Sequence, residues 1–528
     1  MKTINIISTL AIPLLLISCN NYLNVSPTTQ ISTENFYETD AQVDQALTGV
    51  YGCLKPIALY SLQMSEQRSD NMWITNDTKQ NDNVDIALFN SDGLVKDETI
   101  ADCWADYFTI ISSANKLLDK LDEEILDDAD LQTEYKAEAK FLRALAYFDL
   151  VRYFGRVPAP THSLSTEEAF ALGQSEAVDV YSKIIVPDLR YAVDKLPETS
   201  PADYLGKAHS ERATKIAAKA LLGRVYLTMA GYPLNLTAKK DSAAILLKNV
   251  IDYADTNNKY WAKDMSQWNQ MWIHENDNKY FIFEIQYINA SGQGNPYTPN
   301  AMTKPSTSIW CNPNLIAGNA HIYVENSLRD HYRDTLENVY DKRGWGTIST
   351  SSIASDEQTT IDTENLIYVK FFENKIKRNF LGYTDMDAEI VDRTYWPQNF
   401  PILRLEDVML MYAEIVGNTA EGRKMVNQIR ERAGLDDIVA SVSEDEFQKI
   451  VANERRYELA GEGVRWHDLV RHNEYVSTLQ NKFINDDSTS DKSYASLATR
   501  VTKNSYLYPI PLQQIQVRKG LYTQNPGY

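Results

Sequence analysis

Residues 135–158, YKAEAKFLRALAYFDLVRYFGRVP, constrain the fold more than any other stretch of the chain. Between Phe141 and Phe154 nearly all side chains are apolar or aromatic, and neither Gly nor Pro interrupts them. Gly155 and Pro158 then follow, as is typical of a helix C-terminus. A helix that is apolar on nearly every face is buried on more than one side, and about fourteen residues are too few to span a bilayer, which takes roughly 20. We therefore expect a central helix with other elements packed on both flanks.

The N-terminus predicts a secreted, membrane-attached protein. A short basic start, Met1-Lys2, precedes an apolar run at 4–18 that ends in Leu-Ile-Ser before Cys19. This pattern is typical of a signal peptide rather than a membrane-spanning helix, and its ending resembles a bacterial lipobox, although a cysteine can also fall there by chance. We expect a signal peptide at 1–18, lipidation of Cys19 and a polar tether at 19–33. A lipid anchors without spanning.

The charge balance excludes one class of partner. The 528 residues contain 52 Lys and Arg against 72 Asp and Glu, a net charge of −20. Nucleic acids and anionic membrane surfaces require basic patches, so neither is expected as the main partner. The 32 Tyr and 9 Trp suit recognition of a polar ligand, but a Tyr-rich core explains them equally well. Cys53, Cys103 and Cys311 show no metal-binding spacing, and their disulfide state stays open.

Helical periodicity predicts four pairs of helices. The pairs are 104–121 with 135–154, 178–196 with 213–230, 241–254 with 404–416, and 421–433 with 444–460. Leu222-Gly223-x-x-Tyr226 and Ala144-x-x-x-Phe148 match two parts of the tetratricopeptide pattern. We predict a mainly α fold, a helical bundle with four tetratricopeptide-like repeats. The scaffold spans about 100–254 and 401–475 within a single body at 34–528.

The helical rhythm stops between about residues 255 and 400. This insertion contains six of the nine tryptophans and only short strand-like runs, such as 280–288 and 366–372. Long irregular segments inside a regular frame are usually functional. The alternative is a second subdomain with a purely structural role.

No catalytic motif is present. The sequence lacks G-x-S-x-G, HExxH, the Walker loop and the Rossmann fingerprint. Carboxylates are so numerous that a glycosidase-type pair is left open, but none stands out. Nothing requires a cofactor; Asn485, Asp486, Asp487 and Asp491 have oxygens for a structural calcium ion, although a solvated loop is favoured.

The segment 453–471 carries a dense set of charges. Glu454, Arg455, Arg456 and Glu458 lie at spacings that allow ion pairs along one helix. We interpret them as a structural corner with solvated charges, in preference to a catalytic cluster.

Together these motifs resemble the SusD/RagB family of outer-membrane lipoproteins from Bacteroidetes, in family order from Cys19 to Tyr528. The motifs that carry the resemblance are the lipobox, residues 141–144 with 155–158, 212–213 with 222–226, 401–408 with 412–414, 454–456 with 462–471, and 524–528. The resemblance implies a helical fold with four tetratricopeptide-like repeats and a less regular ligand-binding portion. It also implies no enzyme activity, a lipid anchor in the outer membrane that faces outward, and delivery of captured glycans to a SusC-like TonB-dependent transporter.

Two departures from the family pattern are visible. Asn20-Asn21 stand where family members often have Asp, a feature linked to surface export. Gly461 stands where a bulky residue is common, which affects local packing rather than function.

Two stretches, residues 68–73 and 293–310, have the composition of a glycan site. Such a site needs aromatic faces for sugar C–H groups beside paired donors and acceptors. We expect Trp73 and Trp310 to act as stacking platforms and Tyr297 as a rim contact. The predicted hydroxyl partners are Arg68, Asp70 and Asn71. The alternatives are core packing of each tryptophan, peptide capture as in the RagB-like branch, a lipid-anchored glycosidase, and a purely structural lid.

Overall fold

Helices make up most of the chain that the structure describes. The structure is a computed structural model, and it describes residues 36–37, 39–74, 84–199, 212–272, 279–288, 290, 292–297, 322–332, 340–350, 366–368, 370–371, 396–485, 492–517 and 519–528. The predicted signal peptide and tether, with Cys19, lie outside these ranges, as do Trp310, Cys311 and residues 486–491. The division into scaffold and insertion therefore stays a prediction.

The helices before the insertion are α1 (Asp40–Gly52), α2 (Ile57–Tyr60), α3 (Val84–Ala87), α4 (Ser91–Leu94), α5 (Glu98–Asp122), α6 (Ala129–Phe154), α7 (Thr166–Ala171), α8 (Ala177–Val180), α9 (Val186–Lys195), α10 (Lys215–Ala230) and α11 (Lys239–Asn257). Two π-helical segments, Ser61–Glu66 and Tyr181–Ile185, follow α2 and α8 directly.

The later helices are α12 (Met265–Gln270), α13 (Asn326–Tyr332), α14 (Gly344–Thr347), α15 (Leu405–Val416), α16 (Ala420–Ala433), α17 (Glu444–Glu458), α18 (Arg465–Arg471), α19 (Tyr475–Asn485) and α20 (Leu512–Val517), with a 3-10 helix at Lys492–Arg500. None of the helices in the described part of the chain combines the length and the apolar character needed to cross a membrane.

Short antiparallel strand pairs connect distant parts of the chain. The strands are β1 (Met72–Ile74), β2 (Phe281–Ile285), β3 (Ile322–Val324), β4 (Ile348–Thr350), β5 (Leu366–Tyr368) and β6 (Phe400–Arg404). β1 pairs with β3, β2 with β6, and β4 with β5. In the second pair Ile285 lies opposite Phe400, so the start of the insertion is joined to the strand that leads into α15.

The central helix predicted from the sequence is α6. Its first turn is capped by the carboxylate of Asp128, which accepts hydrogen bonds from two backbone N–H groups. The helix ends at Phe154 because Gly155 adopts φ +68°, a conformation that favours glycine. The side chains from Phe141 to Val151 are buried, and α5 and α9 pack against the helix. The prediction of packing on both flanks is confirmed.

The four predicted helix pairs are also in contact. α5 packs on α6, α9 on α10, α11 on α15, and α16 on α17, while α10 also packs along α11. Gly223 on α10 allows the last contact, because a Cβ at this position would lie 2.7 Å from the side chain of Leu247. The mainly helical fold is therefore as predicted, and the likeness of each pair to a tetratricopeptide repeat stays a prediction.

The buried apolar side chains form a large core and a smaller second cluster. The large core extends from Val43 in α1 to Tyr522 near the C-terminus. The smaller cluster gathers Trp73, Phe89, Trp466 and Tyr494 with residues of α19. The second cluster thus joins β1 to the C-terminal helices.

A tight turn between α17 and α18 brings two distant backbones together. Gly463 in this turn has φ +77°, and its N–H donates to the Glu66 carboxylate over 2.8 Å. A Cβ on Gly463 would lie 2.4 Å from the Cβ and 2.9 Å from the Cα of Ser61. The turn and the π-helical segment Ser61–Glu66 can approach this closely only with glycine at the position.

We expect Gly463→Ala to destabilise the protein by about 2–5 kcal/mol, because it adds left-handed strain to an overlap with backbone atoms. Gly520→Ala is the matched control, since Gly520 has φ +82° and open space around its Cβ position. The control should cost about 1–2 kcal/mol, the conformational component alone. Urea unfolding of both variants measures the difference, and equal losses would contradict the close approach.

Candidate functional site

The first predicted stretch, residues 68–73, follows the π-helical segment and includes the first two residues of β1. Its side chains are buried, and the exposed fractions of Arg68, Asp70, Asn71 and Trp73 are 1 %, 7 %, 0 % and 5 %. Each side chain already has partners within the protein. The roles that these partners define are structural, and contact with a ligand stays a prediction for all four residues.

Arg68 is held by aromatic faces and carbonyl groups. Its guanidinium carbon lies 4.1 Å from the ring centroid of Phe89 and 4.5 Å from that of Tyr508. It also donates to the backbone oxygens of Ile86 and Ser505 over 3.1 and 3.0 Å. The contacts with the Phe89 and Tyr508 rings are cation–π interactions of a buried guanidinium group. Arg68 therefore fastens the C-terminal segment to the N-terminal part of the chain.

Asp70 forms the strongest ion pair in the stretch. The Nε and Nη2 atoms of Arg465 donate to its two carboxylate oxygens over 2.7 and 2.8 Å, and Arg456 lies 3.4 Å away. Burial opposes ionisation, but the guanidinium groups of Arg456 and Arg465 outweigh it and hold the pKa of Asp70 well below its ordinary range. Asp70 is thus a permanent anion that ties the stretch to α17 and α18.

Asn71 bridges two charged groups. It donates to Glu66 over 2.8 Å and accepts from Arg456 Nε over 3.0 Å. Burial raises the pKa of Glu66 to about 7, although the hydrogen bonds from Asn71 and the Gly463 N–H oppose this shift. The amide therefore couples a buried carboxyl group to a buried guanidinium.

Trp73 packs within the smaller apolar cluster. Its ring meets Tyr494 edge-on at a centroid separation of 4.7 Å, and the Lys482 ammonium lies 5.9 Å from its centre. Register in the β1–β3 pair places the partly buried Tyr323 directly opposite. In this structure the indole is a packing element at the sheet, as the core alternative described.

The second predicted stretch meets the first around Gly461. Tyr297 is fully buried, and its ring packs on Phe371 at a centroid separation of 4.8 Å. A Cβ on Gly461 would lie 3.3 Å from the Tyr297 hydroxyl and 3.1 Å from the ring of Tyr368, so tyrosines fill the space around this glycine. Tyr368 in turn donates to the Asn71 carbonyl over 2.9 Å. The structure therefore brings the two stretches together, while Trp310 lies outside the described residues.

The charges at 454–458 are not solvated, so that interpretation was wrong. Glu458 has no exposed surface, and it accepts hydrogen bonds from three arginines at 2.7–2.8 Å. These arginines, Arg343, Arg404 and Arg432, come from the insertion, from β6 and from α16. Spacing along one helix reveals only local ion pairs, and it carries no signal for partners that lie so far away in the sequence.

The same buried network holds the insertion on the helical frame. Glu462 accepts from Arg404 Nε and from the Lys370 ammonium, each over 2.7 Å. Glu454 accepts from Arg343 over 2.6 Å. The cations come from the insertion (Arg343 and Lys370), from β6 (Arg404) and from α16 (Arg432), and the carboxylates come from the end of α17 and the turn after it. We call Arg343, Lys370, Arg404, Arg432, Glu454, Glu458 and Glu462 the central ion cluster.

Insertion tryptophans contribute to the core in several cases. Trp268, Trp272 and Trp396 are buried, and Trp268 donates its indole N–H to Glu458 over 3.1 Å.

Cys53 and Cys103 carry free thiols. Among the described residues, no group of three or more His, Cys, Asp or Glu side chains is arranged to hold a metal ion.

We expect Asp70→Asn to lower the free energy of unfolding at pH 7 by about 3–5 kcal/mol, since Arg465 would lose its buried counter-charge. The pKa of Asp70 is lower in the folded chain than in the unfolded chain. Its contribution is therefore present above about pH 4 and is lost as the pH falls further. The gap between wild type and variant should shrink from pH 5 towards pH 2.5.

Urea unfolding across this pH range measures that gap. Asp122→Asn serves as the control, because Asp122 forms an exposed pair with Lys136 and should give almost no difference at any pH. A gap for Asp70→Asn that does not change with pH would contradict the assignment.

Comparisons with known proteins agree with this architecture. The family described as "SusD family" matches residues 354–528, and the one described as "Starch-binding associating with outer membrane" matches residues 21–227. The SusD-like protein P25 of Formosa agariphila is 26 % identical over 570 aligned residues, which cover 100 % of both chains.

Solved structures show the same fold. A SusD homologue from Bacteroides thetaiotaomicron superposes with a TM-score of 0.76 at 24 % identity, covering 95 % of this chain and 99 % of its own. A laminarin-binding SusD-like protein superposes with a TM-score of 0.69 at 24 % identity, covering 93 % of this chain and 100 % of its own. The two family matches at opposite ends, with end-to-end relatives between them, show that the chain belongs to the SusD/RagB family.

Proposed function

We propose that this protein binds glycans at the cell surface and delivers them to a SusC-like TonB-dependent transporter, without catalysing a reaction. The observation that carries the proposal is family membership along the whole chain, in a family whose described members bind starch or laminarin. The fold supports it in the first stretch, where buried ion pairs hold Asp70 against α17 and α18 and so give its neighbours fixed positions.

Glycan binding in this proposal relies on aromatic stacking and paired hydrogen bonds. A sugar ring offers C–H faces to indole and phenol rings and hydroxyl groups to carboxylate, amide and guanidinium groups. Trp73 and Trp310 are the proposed stacking platforms, and Tyr297 is the proposed rim contact. The proposed hydroxyl partners are Arg68, Asp70 and Asn71.

Attachment to the outer membrane is proposed through a lipid on Cys19. The described residues contain no spanning helix, and one of the matching families is described as associating with the outer membrane. A lipidated N-terminus meets that requirement while leaving the body free to contact a transporter.

The first test of the function is retention in native gels that contain laminarin, starch or another polysaccharide. At least one polymer should retard the wild-type protein. If no polymer retards the protein and calorimetry detects binding of oligopeptides, the ligand is a peptide and the glycan proposal is wrong. New reducing ends after incubation of purified protein with a polymer would instead show a glycosidase.

Trp310→Ala should weaken binding of the retained polymer by about 1–3 kcal/mol, by analogy with the stacking of a nucleobase on an aromatic side chain. Phe170→Ala is the control, since Phe170 is an aromatic residue that is 59 % exposed on α7 in the helical scaffold. Affinity electrophoresis across polymer concentrations gives both dissociation constants. Unchanged affinity for Trp310→Ala would remove this residue from the site.

Cys19→Ala should abolish incorporation of labelled palmitate and move the protein from the outer-membrane fraction to the soluble fraction, because one transferred lipid group is the proposed anchor. Cys53→Ala is the matched control, since Cys53 is a free thiol within the folded body. Membrane retention of the Cys19 variant would contradict lipid anchoring at this residue.

A further inference from the structure

A cavity of about 440 Å³ lies beside the C-terminal end of α6, at some remove in sequence from the predicted ligand stretches. The end of α6, the start of α8, the loop after α10, helix α18 and the C-terminal segment form its walls. Its volume falls within the roughly 300–1,000 Å³ that is typical of small-molecule sites. Exposed residues such as Val178 and Pro233 stand at its mouth, so the cavity is open to solvent.

Three tyrosines line the cavity beside a larger number of aliphatic side chains. Tyr232 and Tyr506 are both partly exposed, and their rings meet edge-on at a centroid separation of 5.2 Å. Tyr181 lines the opposite part of the wall and packs on Phe148 at 6.1 Å. Each phenol offers an apolar face together with a hydroxyl group that donates and accepts.

An imidazole without a hydrogen-bond partner also lines the cavity. His467 on α18 contacts the ring of Tyr153 at a centroid separation of 5.0 Å, and none of its ring nitrogens is hydrogen-bonded to a described residue. Burial and the neighbouring Arg152 hold the pKa of His467 well below its ordinary value. A neutral imidazole provides one donor and one acceptor to a ligand.

A free cation and a free anion face each other at the mouth. The antiparallel bridge between Val157 and Ser175 places Arg156 and Glu176 opposite each other, and both line the cavity. Neither side chain forms an ion pair or hydrogen bond with any residue in the described part of the chain. The mouth therefore offers guanidinium donors and carboxylate acceptors side by side.

The polar groups that line the cavity disfavour purely apolar ligands and anionic ligands. A purely apolar ligand would desolvate His467, Arg156 and Glu176 without replacing their hydrogen bonds with water, which is costly. An anion would meet the Glu176 carboxylate at the mouth. The other cations of the wall are already bound to carboxylates, Arg152 to Asp149 and Arg471 to Glu414.

A neutral molecule with several hydroxyl groups and apolar ring faces satisfies every group in the cavity. Sugar hydroxyls both donate and accept, so they can pair with guanidinium, carboxylate and imidazole at once, while C–H faces cover the phenol rings. We propose that this cavity is a second binding site, separate from the predicted glycan surface, for a neutral mono- or disaccharide.

The test is isothermal titration calorimetry of the full chain with glucose, galactose, mannose, xylose, maltose and cellobiose. At least one of these sugars should bind to the wild type. Val178→Trp, which places an indole across the mouth, should abolish that binding. Val439→Trp is the matched control, since Val439 is 60 % exposed outside the cavity, and it should bind as the wild type does.

Arg156→Gln and Glu176→Gln should each weaken binding about tenfold or more, because a hydrogen bond to a charged group is lost. Both side chains are at the mouth, so thermal unfolding should match the wild type. Absence of binding by all six sugars would overturn the proposal, and so would sugar binding that survives Val178→Trp.

The outcome is distinguishable from failure of the proposed function. Retention of the wild type by a polysaccharide gel with no binding of short sugars would remove the second site and leave the function standing. Binding of short sugars that Val178→Trp abolishes, without retention by any polymer, would support the cavity and remove the polysaccharide function. Loss of polymer retention in Val178→Trp would overturn the separation of the two sites.

Discussion

The contact between Glu458 and three arginines is the interaction on which the remaining structure depends. A carboxylate without solvent exposure is tolerated only with compensating charges, and here Arg343, Arg404 and Arg432 provide them at 2.7–2.8 Å. Burial raises the pKa of such a group, yet the three guanidinium groups hold the pKa of Glu458 well below its ordinary value. Because Arg343 belongs to the insertion and Glu458 to α17, this buried charge cluster joins the insertion to the helical frame. A buried ion pair of this kind adds little net stability, but it strongly disfavours any other docking of the insertion.

The central ion cluster also explains how the candidate site is positioned. α17 and the turn after it carry its carboxylates, and the same segment carries Arg456 and Arg465, which bind Asp70. Asn71 and β1 follow Asp70 directly, and Arg456 reaches Glu325 beyond β3 over 3.2 Å. Both strands of the β1–β3 pair are therefore anchored to one short segment of the chain. Asp70 and Asn71 thus hold this strand pair against α17, and their contact with a ligand stays a prediction.

The sequence predicts the helical part of this protein well, because the spacing of apolar residues that identifies a helix repeats within a few turns. The apolar run before Gly155 predicts a buried helix, and the small residue Gly223 predicts a close helix contact. Both predictions need only residues that are near one another in the sequence. The ion cluster could not be predicted in this way, since Arg343 and Glu458 are 115 positions apart. The roles of Trp73 and Tyr297 could not be predicted from the sequence either, because an aromatic side chain suits both a binding surface and a core. Trp73 packs on Tyr494 and Tyr297 packs on Phe371, and neither partner is adjacent in sequence.

Two consecutive arginines on α17 form buried ion pairs on different sides of the helix. Arg456 contacts Asp70 and Asn71 in the first predicted stretch. Arg455 pairs with Asp468 over 2.8 Å, and Asp468 accepts from Arg471, which lines the second cavity. Side chains at neighbouring positions on a helix point about 100° apart. Arg455 and Arg456 can therefore reach their partners at the same time in only one rotational orientation of α17. Rotation or displacement of α17 would break both sets of ion pairs at once. Buried ion pairs on two sides therefore fix the orientation of this helix.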